Sequence, residues 1–228
     1  GPILVTLVGI ALYQGLLIRV RGNHMIQALV TFGLLFVGFD LVRIIWGNDI
    51  HRLAEPAVFS GSIAMLGQAY PVYRLFLIGV GLATIVLLYF GLERTRLGAV
   101  VRAGVDDREM AATLGINIDR RFTIMFAIAA CVAGLAGVMY TPINSPNYHM
   151  GMDFLVLSFV VVVVGGMGSL PGAVAAGFLL GILESFASMP WVNSFVPGIN
   201  QIIIYLVAIV ILLPRPRGLM GRKGVMEE

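Results

Sequence analysis

Few side chains in this 228-residue chain could carry out catalysis. Its three histidines are far apart in sequence and lack the spacing of metal ligands, and Cys131 is the only cysteine, so there is no CxxC motif. Ser158, Ser169 and Ser185 have no histidine in the surrounding apolar runs to activate them. The GxxxxGK(S/T) phosphate loop, the HExxH zinc motif and the GxSxG nucleophile motif are also missing from the sequence. We therefore expect that the chain is not an enzyme and binds no metal or cofactor itself.

The most heavily charged stretch, VRAGVDDREMAATLGINIDRRF (residues 101–122), carries the signals of a short helix. Asp106 or Asp107 offers an N-cap carboxylate, and Asp106 with Glu109 has the D-x-x-E spacing of a capping box. Gly115 then supplies a C-terminal stop, because glycine readily adopts left-handed backbone angles. The pattern predicts a helix of about eight residues, capped at both ends. The next helix is expected to begin at Asn117 or Asp119.

A helix this short is marginally stable alone and must pack on another surface. Met110 and Leu114 are four residues apart and form a small apolar face, while Ala111 and Ala112 keep the helix slim enough for close approach. One interpretation is a loop helix that lies on its own protein or on lipid headgroups. The other is a docking helix for a soluble cytoplasmic partner. The residues alone leave both interpretations open.

A second stretch, GGMGSLPGAVAAGFLLGILES (residues 165–185), is rich in glycine and contains two G-x-x-x-G spacings. This spacing lets helices approach each other closely in a membrane, so one interpretation is helix packing alone. The other is an unwound or re-entrant backbone at Gly165, Gly166 and Gly168, close to a translocation path. Irregular backbone is tolerated at membrane depth only where it is buried in protein or lines a wet cavity.

Glu184 is the only charged residue between positions 154 and 214. A carboxylate inside a membrane is costly, and its presence favours a functional role in the translocation path or in gating. The alternative is a side chain that lies close enough to the outer surface to be hydrated, or that bonds to a neighbouring helix.

The elements that must position these residues are long apolar helices. The chain is 59% hydrophobic and 12% charged, whereas soluble domains carry about 25% charged residues. Because a spanning helix needs about 20 mainly apolar residues, we predict an all-α polytopic membrane protein that forms one transmembrane domain over residues 1–228. The fifth and sixth segments could also form a re-entrant pair. The seven predicted spans are 3–18, 25–46, 72–91, 122–140, 153–168, 172–189 and 199–213.

The distribution of arginine and lysine predicts the orientation of these spans. If residues 92–121 form a cytoplasmic loop, twelve of the fifteen basic residues lie inside, and the C-terminus lies inside as well. Only Arg43, Arg52 and Arg74 then fall outside. A net charge of +3 distributed in this way gives no indication of a nucleic-acid partner. The basic residues placed inside are Arg19, Arg21, Arg94, Arg96, Arg102, Arg108, Arg120, Arg121, Arg215, Arg217, Arg222 and Lys223.

Three ordered segments resemble the permeases of the branched-chain amino acid importers, a family of ABC (ATP-binding cassette) transporters. They are RLGAVVRAGVDDREMAATLGINIDRRFTIMFAIAACVAGLAGVMY, VVVVVGGMGSLPGAVAAGFLLGILES and the tail LLPRPRGLMG. The resemblance is strong from about residue 92 to 221 and weaker over residues 15–46. Full-length members have additional N-terminal helices, and this chain begins at Gly1 and Pro2 without a methionine. We therefore expect that native N-terminal helices are missing from it.

The resemblance implies that the charged segment is a coupling helix, through which an ATPase drives the membrane spans. The implied partners are a second permease subunit, identical or homologous, two cytoplasmic ABC ATPases that carry ATP and Mg²⁺, a periplasmic substrate-binding protein and membrane lipid. The implied location is the bacterial inner membrane. The predicted coupling residues are Asp106, Asp107, Glu109, Met110, Ala111, Ala112, Leu114 and Gly115.

The resemblance favours leucine, isoleucine and valine as cargo, and other cargoes stay open. Related permeases carry urea, short amides, sugars or nucleosides on the same architecture. A rival of another class is an ATP-independent carrier or channel, which predicts ion sites at midspan and no docking helix. A second rival is a membrane scaffold with no transport role, which predicts that residues 101–121 bind no ATPase.

Overall fold

The computed structural model describes residues 1–20, 24–47, 59, 61–65, 68–106, 108–113, 115, 117–147, 150–195 and 198–221. The chain divides into two compact units, Gly1–His149 (the N-terminal unit) and Met150–Glu228 (the C-terminal unit). Among these described residues, the elements of both units are helices apart from one small hairpin, and several helices are long and apolar. The prediction of an all-α polytopic membrane protein is confirmed, and a single transmembrane domain stays a prediction.

The N-terminal unit begins with a helix that changes its winding along its length. Its first part, α1, is followed without a break by a π-helical turn, Tyr13–Leu17, and a 3₁₀ turn, Ile18–Val20. A two-stranded antiparallel hairpin, which the sequence did not suggest, lies between the second and third long helices. The elements are α1 (Pro2–Leu12), α2 (His24–Trp46), β1 (Ser62–Met65), β2 (Gln68–Pro71), α3 (Val72–Glu93), α4 (Arg96–Asp106), α5 (Arg108–Thr113) and α6 (Ile118–Tyr140).

The part of the C-terminal unit that the structure describes has four helices and a structured tail. Pro171 lies in the first turn of α8, where a backbone N–H would have no intrahelical partner. The side chain of the N-cap residue, Ser169, accepts a hydrogen bond from the Gly172 N–H at 3.1 Å. The tail continues after the last helix and is described as far as Gly221. The helices are α7 (Met150–Gly165), α8 (Leu170–Ala187), α9 (Pro190–Phe195) and α10 (Ile199–Leu212).

The predicted spans coincide with apolar helices. Within the described residues, five helices are long and apolar enough to cross a membrane, namely Pro2–Val20, Met25–Trp46, Val72–Glu93, Ile118–Tyr140 and Leu170–Ala187. Two shorter apolar helices, Met150–Gly165 and Ile202–Leu212, occupy the two remaining predicted positions. The sixteen residues of α7 match the length of the span predicted at 153–168, but the helix begins and ends three residues earlier, because the chain leaves the helix at Gly166.

In the N-terminal unit, α1 packs on α6 through small residues. A Cβ added to Gly9 would lie 2.9 Å from the Ala130 Cβ, and one added to Gly134 would lie 3.0 Å from the Val5 Cβ. Tyr13 stacks on Phe126 with ring centroids 4.9 Å apart. Such close approach is how helices gain packing energy where lipid supplies no hydrophobic force between them.

Tyr73 ties the start of α3 to the end of α6. Its side chain is 3% exposed, and its hydroxyl donates a hydrogen bond to the Met139 carbonyl at 2.8 Å. Phe76 and Phe59 lie close to it, with their rings stacked at 4.3 Å. A buried hydroxyl needs a hydrogen-bond partner, and the Met139 carbonyl supplies one. The bond joins two residues that are 66 positions apart in the chain.

Candidate functional site

The charged segment contains the predicted short helix, α5, which ends before Gly115. Gly115 has φ +75°, in the left-handed region, and an added Cβ would meet nothing within 4 Å. The C-terminal stop predicted from the sequence is therefore present at this glycine. At the end of the helix, the Thr113 hydroxyl donates to the Met110 carbonyl at 2.6 Å. Because the space around Gly115 is open, backbone geometry is the only demand the fold makes on this position.

The start of α5 differs from the prediction. Asp106 is the last residue of α4, so it does not serve as the N-cap of a helix that begins at Arg108. Residues 96–106 form a separate helix, α4, which includes Asp106. The α5 helix is therefore only six residues long. The predicted capping box and part of the predicted apolar face rest on positions that lie outside the described ones. These are the residues Asp107 and Leu114 and the side chains of Asp106, Glu109 and Ala112.

The two described side chains in the middle of α5 have opposite exposures. Ala111 is 3% exposed, whereas Met110 is 65% exposed. The helix contacts α4 and α6, so Ala111 anchors it within the chain and is not open to a partner. Met110 is thus mostly exposed on a helix that contacts α4 and α6 through Ala111 and its neighbours. A single exposed apolar side chain is compatible with a docking surface and does not by itself indicate one.

Arg102 braces the charged segment against the end of α3. Its Nη1 donates a hydrogen bond to the Leu92 carbonyl at 2.7 Å and lies 3.2 Å from Glu93 Oε2. A guanidinium at this place satisfies a carbonyl that the helix end leaves without an intrahelical partner. The two charged side chains are about one third exposed, at 34% and 32%. The ion pair is thus partly screened by solvent, and the bond to the carbonyl is the stronger contact.

Two glycines let α4 approach its neighbours closely. A Cβ on Gly98 would lie 1.7 Å from the Leu92 carbonyl oxygen, so no side chain fits there without moving the backbone of α3 or α4. A Cβ on Gly104 would lie 3.3 Å from both Ile118 and Phe122, at the start of α6. One helix of the charged segment therefore contacts the last turn of α3 and the first turn of α6.

The start of α6 has its own cap. Asn117 Oδ1 accepts a hydrogen bond from the Arg120 N–H at 3.0 Å, which confirms Asn117, one of the two predicted starting residues, as the N-cap. Asp119 follows in the first turn, where a negative charge is favourable at the positive end of the helix dipole. Ile118 is 5% exposed and lies beside Gly104. The entry of the chain into α6 is therefore fixed by capping and by packing.

In the C-terminal unit, the predicted glycine stretch forms a tight turn between α7 and α8. Gly166 and Gly168 have φ values of +100° and +83°, which L side chains rarely adopt. Gly165 and Gly172 face each other so closely that a Cβ on Gly172 would lie 2.1 Å from the Gly165 carbonyl oxygen. The α7 helix thus ends at these glycines, with Gly165 and Gly166 buried and Gly168 exposed, and their place near a translocation path stays a prediction.

Glu184 lies in the last turn and a half of α8, one turn beyond the buried residue Leu180. Its side chain is exposed within the unit, and its backbone carbonyl accepts the Ser188 N–H at 2.9 Å. Gly181 and the Glu184 side chain both lie on the exposed surface of the helix. A role of this carboxylate in a path or a gate stays a prediction.

The described residues contain no group of three or more histidine, cysteine, aspartate or glutamate side chains that could hold a metal ion. What they contain is a set of apolar helices with a charged, glycine-punctuated segment packed between the end of one long helix and the start of another. This arrangement is that of a multi-pass membrane protein.

The chain belongs to the family described as "Branched-chain amino acid transport system / permease component", whose model matches residues 2–212. It is 34% identical to the high-affinity branched-chain amino acid transport system permease protein LivH of Escherichia coli over 145 residues, which cover 63% of this chain and 46% of LivH. It is 29% identical to the permease protein BraD of Pseudomonas aeruginosa, named for the same kind of transport system, over 215 residues, which cover 90% of this chain and 66% of BraD.

A more distant relative is the fructose import permease protein FrcC of Rhizobium meliloti, at 27% identity over 165 residues, which cover 69% of this chain and 44% of FrcC. The chain spans about half of the length of LivH and about two thirds of BraD. The comparison with solved structures found no match.

Several residues of the site were not predicted from the sequence. Arg102 was predicted only as a basic residue of the cytoplasmic side, and Glu93, Gly98 and Gly104 were assigned no role. The usable signal was the apolar spacing of α4, where Leu97, Val101 and the two glycines fall on one side of the helix. The residues that pack against that side could not be predicted from the sequence, because they lie at the ends of two other helices.

Proposed function

We propose that this chain is the membrane-spanning permease subunit of an ATP-driven ABC importer that moves branched-chain amino acids across the bacterial inner membrane. The family and the similarity to LivH and BraD support the permease assignment and the cargo. The chain would bind no cofactor of its own and would not be an enzyme. ATP and Mg²⁺ would be bound and ATP hydrolysed on a separate ATPase subunit.

The observation that carries the proposal is the bracing of α4 and α5. The exposed Met110 gives α5 a surface for a soluble partner, while Ala111 fixes the other side of the same helix to the chain. Through Arg102, α4 is bonded to the end of α3, and through Gly104 it lies against the start of α6. A displacement applied at α5 would therefore reach two membrane helices through the contacts of α4 with the end of α3 and the start of α6.

The proposed orientation follows from the basic residues. Residues 92–121 and the C-terminus would lie in the cytoplasm, since that arrangement places twelve of fifteen basic residues inside. Arg120 and Arg121, at the start of α6, and Arg94 and Arg96, at the α3–α4 corner, would then lie at the cytoplasmic membrane surface. The coupling segment would be on the side where ATP is available.

The proposed assembly has this chain paired with a second permease subunit, identical or homologous, and with two cytoplasmic ABC ATPases. A periplasmic binding protein would deliver the cargo, and lipid would cover the exposed apolar helix faces. Large apolar side chains on α2 support this, since Phe32, Phe36 and Ile44 are 58%, 55% and 78% exposed. Apolar side chains that the protein leaves this exposed need lipid or another subunit to cover them.

The cargo would pass spans that offer few charges. Each of the five long candidate spans has an 18-residue window with no more than two charged residues. Such a path suits a zwitterionic or neutral solute that is recognised by a separate binding protein. The similarity to FrcC makes a sugar such as fructose the second candidate cargo.

Site-specific crosslinking from α5 tests the coupling assignment. The native Cys131 is exposed and would be replaced by serine, after which Met110→Cys carries a photoreactive thiol reagent in membranes of cells that make the whole protein with its partners. Mass spectrometry then identifies the adduct. Ile44→Cys, which is 78% exposed near the end of α2, is the matched control on the proposed outer side.

The expected result is an adduct with an ATP-binding-cassette subunit from Met110→Cys and none from Ile44→Cys. Adducts with lipid or with the chain itself at both positions would contradict the importer proposal and favour a carrier or a scaffold. Uptake of radiolabelled leucine and fructose by the reconstituted assembly then distinguishes the two candidate cargoes. Leucine uptake that excess isoleucine and valine inhibit, and that fructose does not, is the expected outcome.

A further inference from the structure

The tail that follows α10 returns to the end of α7 and bonds to it. The Leu219 N–H donates to the Val164 carbonyl at 2.8 Å, and the Met220 N–H donates to the Gly165 carbonyl at 3.0 Å. These carbonyls are among the last four of α7, which a helix leaves without intrahelical partners. The tail therefore supplies a C-terminal cap to a helix that ended about fifty residues earlier in the chain.

The approach is so close that only glycine fits at the contact. Gly218 is buried, with φ +76°, and an added Cβ would lie 2.6 Å from the Val163 carbonyl oxygen and 2.7 Å from both the Gly166 N and the Val164 carbonyl oxygen. On the other side, a Cβ on Gly166 would lie 2.4 Å from the Gly221 N. Two backbone segments thus fit together with glycines of both segments facing the partner backbone.

Side-chain packing adds to these backbone bonds. Val164, Ala176 and Ala208, one residue from each of α7, α8 and α10, form the buried cluster of the C-terminal unit. Leu219 packs against this cluster from the tail. The tail therefore joins the ends of three helices at one place, and that place is the glycine turn between α7 and α8.

We propose that residues 215–221, which we name the tail clasp, are the positioning element of the Gly165–Ser169 turn. The clasp satisfies the carbonyls at the interruption of α7 and makes the ends of α7, α8 and α10 move as one body. Without it, the carbonyls of Val164 and Gly165, which are both buried residues, would have to find other donors. Its role in transport rests on the proposed function, whereas its effect on the turn does not.

The test compares two glycines that share their backbone angle and differ in their surroundings. Gly218→Ala introduces both left-handed strain and a clash with α7. Gly198→Ala, at φ +82° with nothing within 4 Å of an added Cβ, introduces the strain alone and is the matched control. The whole protein is assembled with its partner subunits in lipid nanodiscs and in proteoliposomes. Amide hydrogen exchange over residues 160–169 and 214–221 is measured together with the ratio of cargo uptake to ATP hydrolysis.

If the clasp acts as proposed, Gly218→Ala raises amide exchange in both segments by about tenfold or more. Uptake per ATP hydrolysed falls severalfold, and Gly198→Ala changes neither quantity. Leu219→Ala keeps the backbone donors and removes only the packing, so it serves as a milder variant if Gly218→Ala does not fold. It is expected to raise exchange by about threefold.

Exchange that stays at the unmodified level in both variants would overturn the clasp. Raised exchange with an unchanged ratio of uptake to hydrolysis would overturn its positioning role in transport, because a merely structural contact would give that result. If the unmodified assembly shows no uptake at all, the proposed function fails. The exchange measurement, which needs no uptake, still decides whether the clasp holds the turn.

Discussion

Replacing Arg102 with methionine should loosen the coupling segment from α3 without unfolding the protein. Methionine keeps most of the aliphatic stem and removes the guanidinium, so the bond to the Leu92 carbonyl and the ion pair with Glu93 are lost together. A hydrogen bond from a charged group contributes about 1.5–3 kcal/mol, and the partial exposure of this side chain places it near the middle of that range, at about 2 kcal/mol. An ion pair with this exposure contributes about 0.5 kcal/mol.

These values separate the two contacts of Arg102. Losing both contacts costs about 2.5 kcal/mol locally, which corresponds to about 70-fold faster amide exchange by local opening. Arg102→Met should therefore show such an increase over residues 96–106. Glu93→Gln removes only the charge of the partner and should show about a twofold increase. Arg96→Met, which removes an exposed arginine from the same helix, is the matched control and should leave the exchange unchanged.

The functional assay is the ratio of cargo uptake to ATP hydrolysis in proteoliposomes that contain the complete assembly. Arg102→Met should lower that ratio, because the movement of α5 would no longer be delivered fully to α3. Equal exchange in Arg102→Met and Glu93→Gln would refute the argument that the carbonyl bond is the stronger contact. Faster exchange in Arg102→Met with an unchanged ratio would refute the claim that this brace transmits force.

Three further substitutions test other parts of the structure. Gly115→Val should lower uptake per ATP hydrolysed, since a β-branched residue at φ +75° costs about 1–3 kcal/mol. Gly115→Asn should keep most of the coupling, because asparagine tolerates this conformation. Equal uptake in both variants would contradict the capped helix. Tyr73→Phe should lower the thermal unfolding midpoint by a few degrees, because the Met139 carbonyl loses a buried donor worth about 1 kcal/mol, and an unchanged midpoint would argue against that bond. Glu184→Gln should leave the unfolding midpoint unchanged because the side chain is exposed, and its uptake rate then reports whether the charge acts in the path.

The apolar runs determined most of what could be predicted about the fold. The span predicted at 25–46 and the one observed, Met25–Trp46, agree at both ends, and the span predicted at 72–91 extends by two residues to Glu93. Such agreement is expected where helix length follows from the thickness of the hydrocarbon layer. The left-handed stop at Gly115 was also predictable, because few residues other than glycine accept that backbone angle.

The predictions were weaker where a helix end depends on a distant partner. Asp106 or Asp107 was predicted as an N-cap from its chemistry and spacing. The α4 helix continues through Asp106, and α5 begins only at Arg108. The apolar spacing of Leu97 and Val101 could have indicated this helix. No comparable sequence pattern indicated the tail clasp. The residues around the α7 glycines do not show that Gly218 is their partner, and the residues around Gly218 do not show that it packs on α7.

In both units, carbonyls at helix ends accept hydrogen bonds from donors outside their own helix. In a chain with so few polar side chains, a carbonyl at a helix end finds its partner in a charged side chain from the next helix, as Leu92 does in Arg102, or in a backbone N–H brought close by glycine, as Val164 does in Leu219. Both solutions give the helix ends specific partners. A force applied at such an end would be transmitted through those contacts. On this argument, alanine at Gly98 or Gly218 should impair coupling more than alanine at Gly81, in the middle of α3, where an added Cβ would meet nothing within 4 Å.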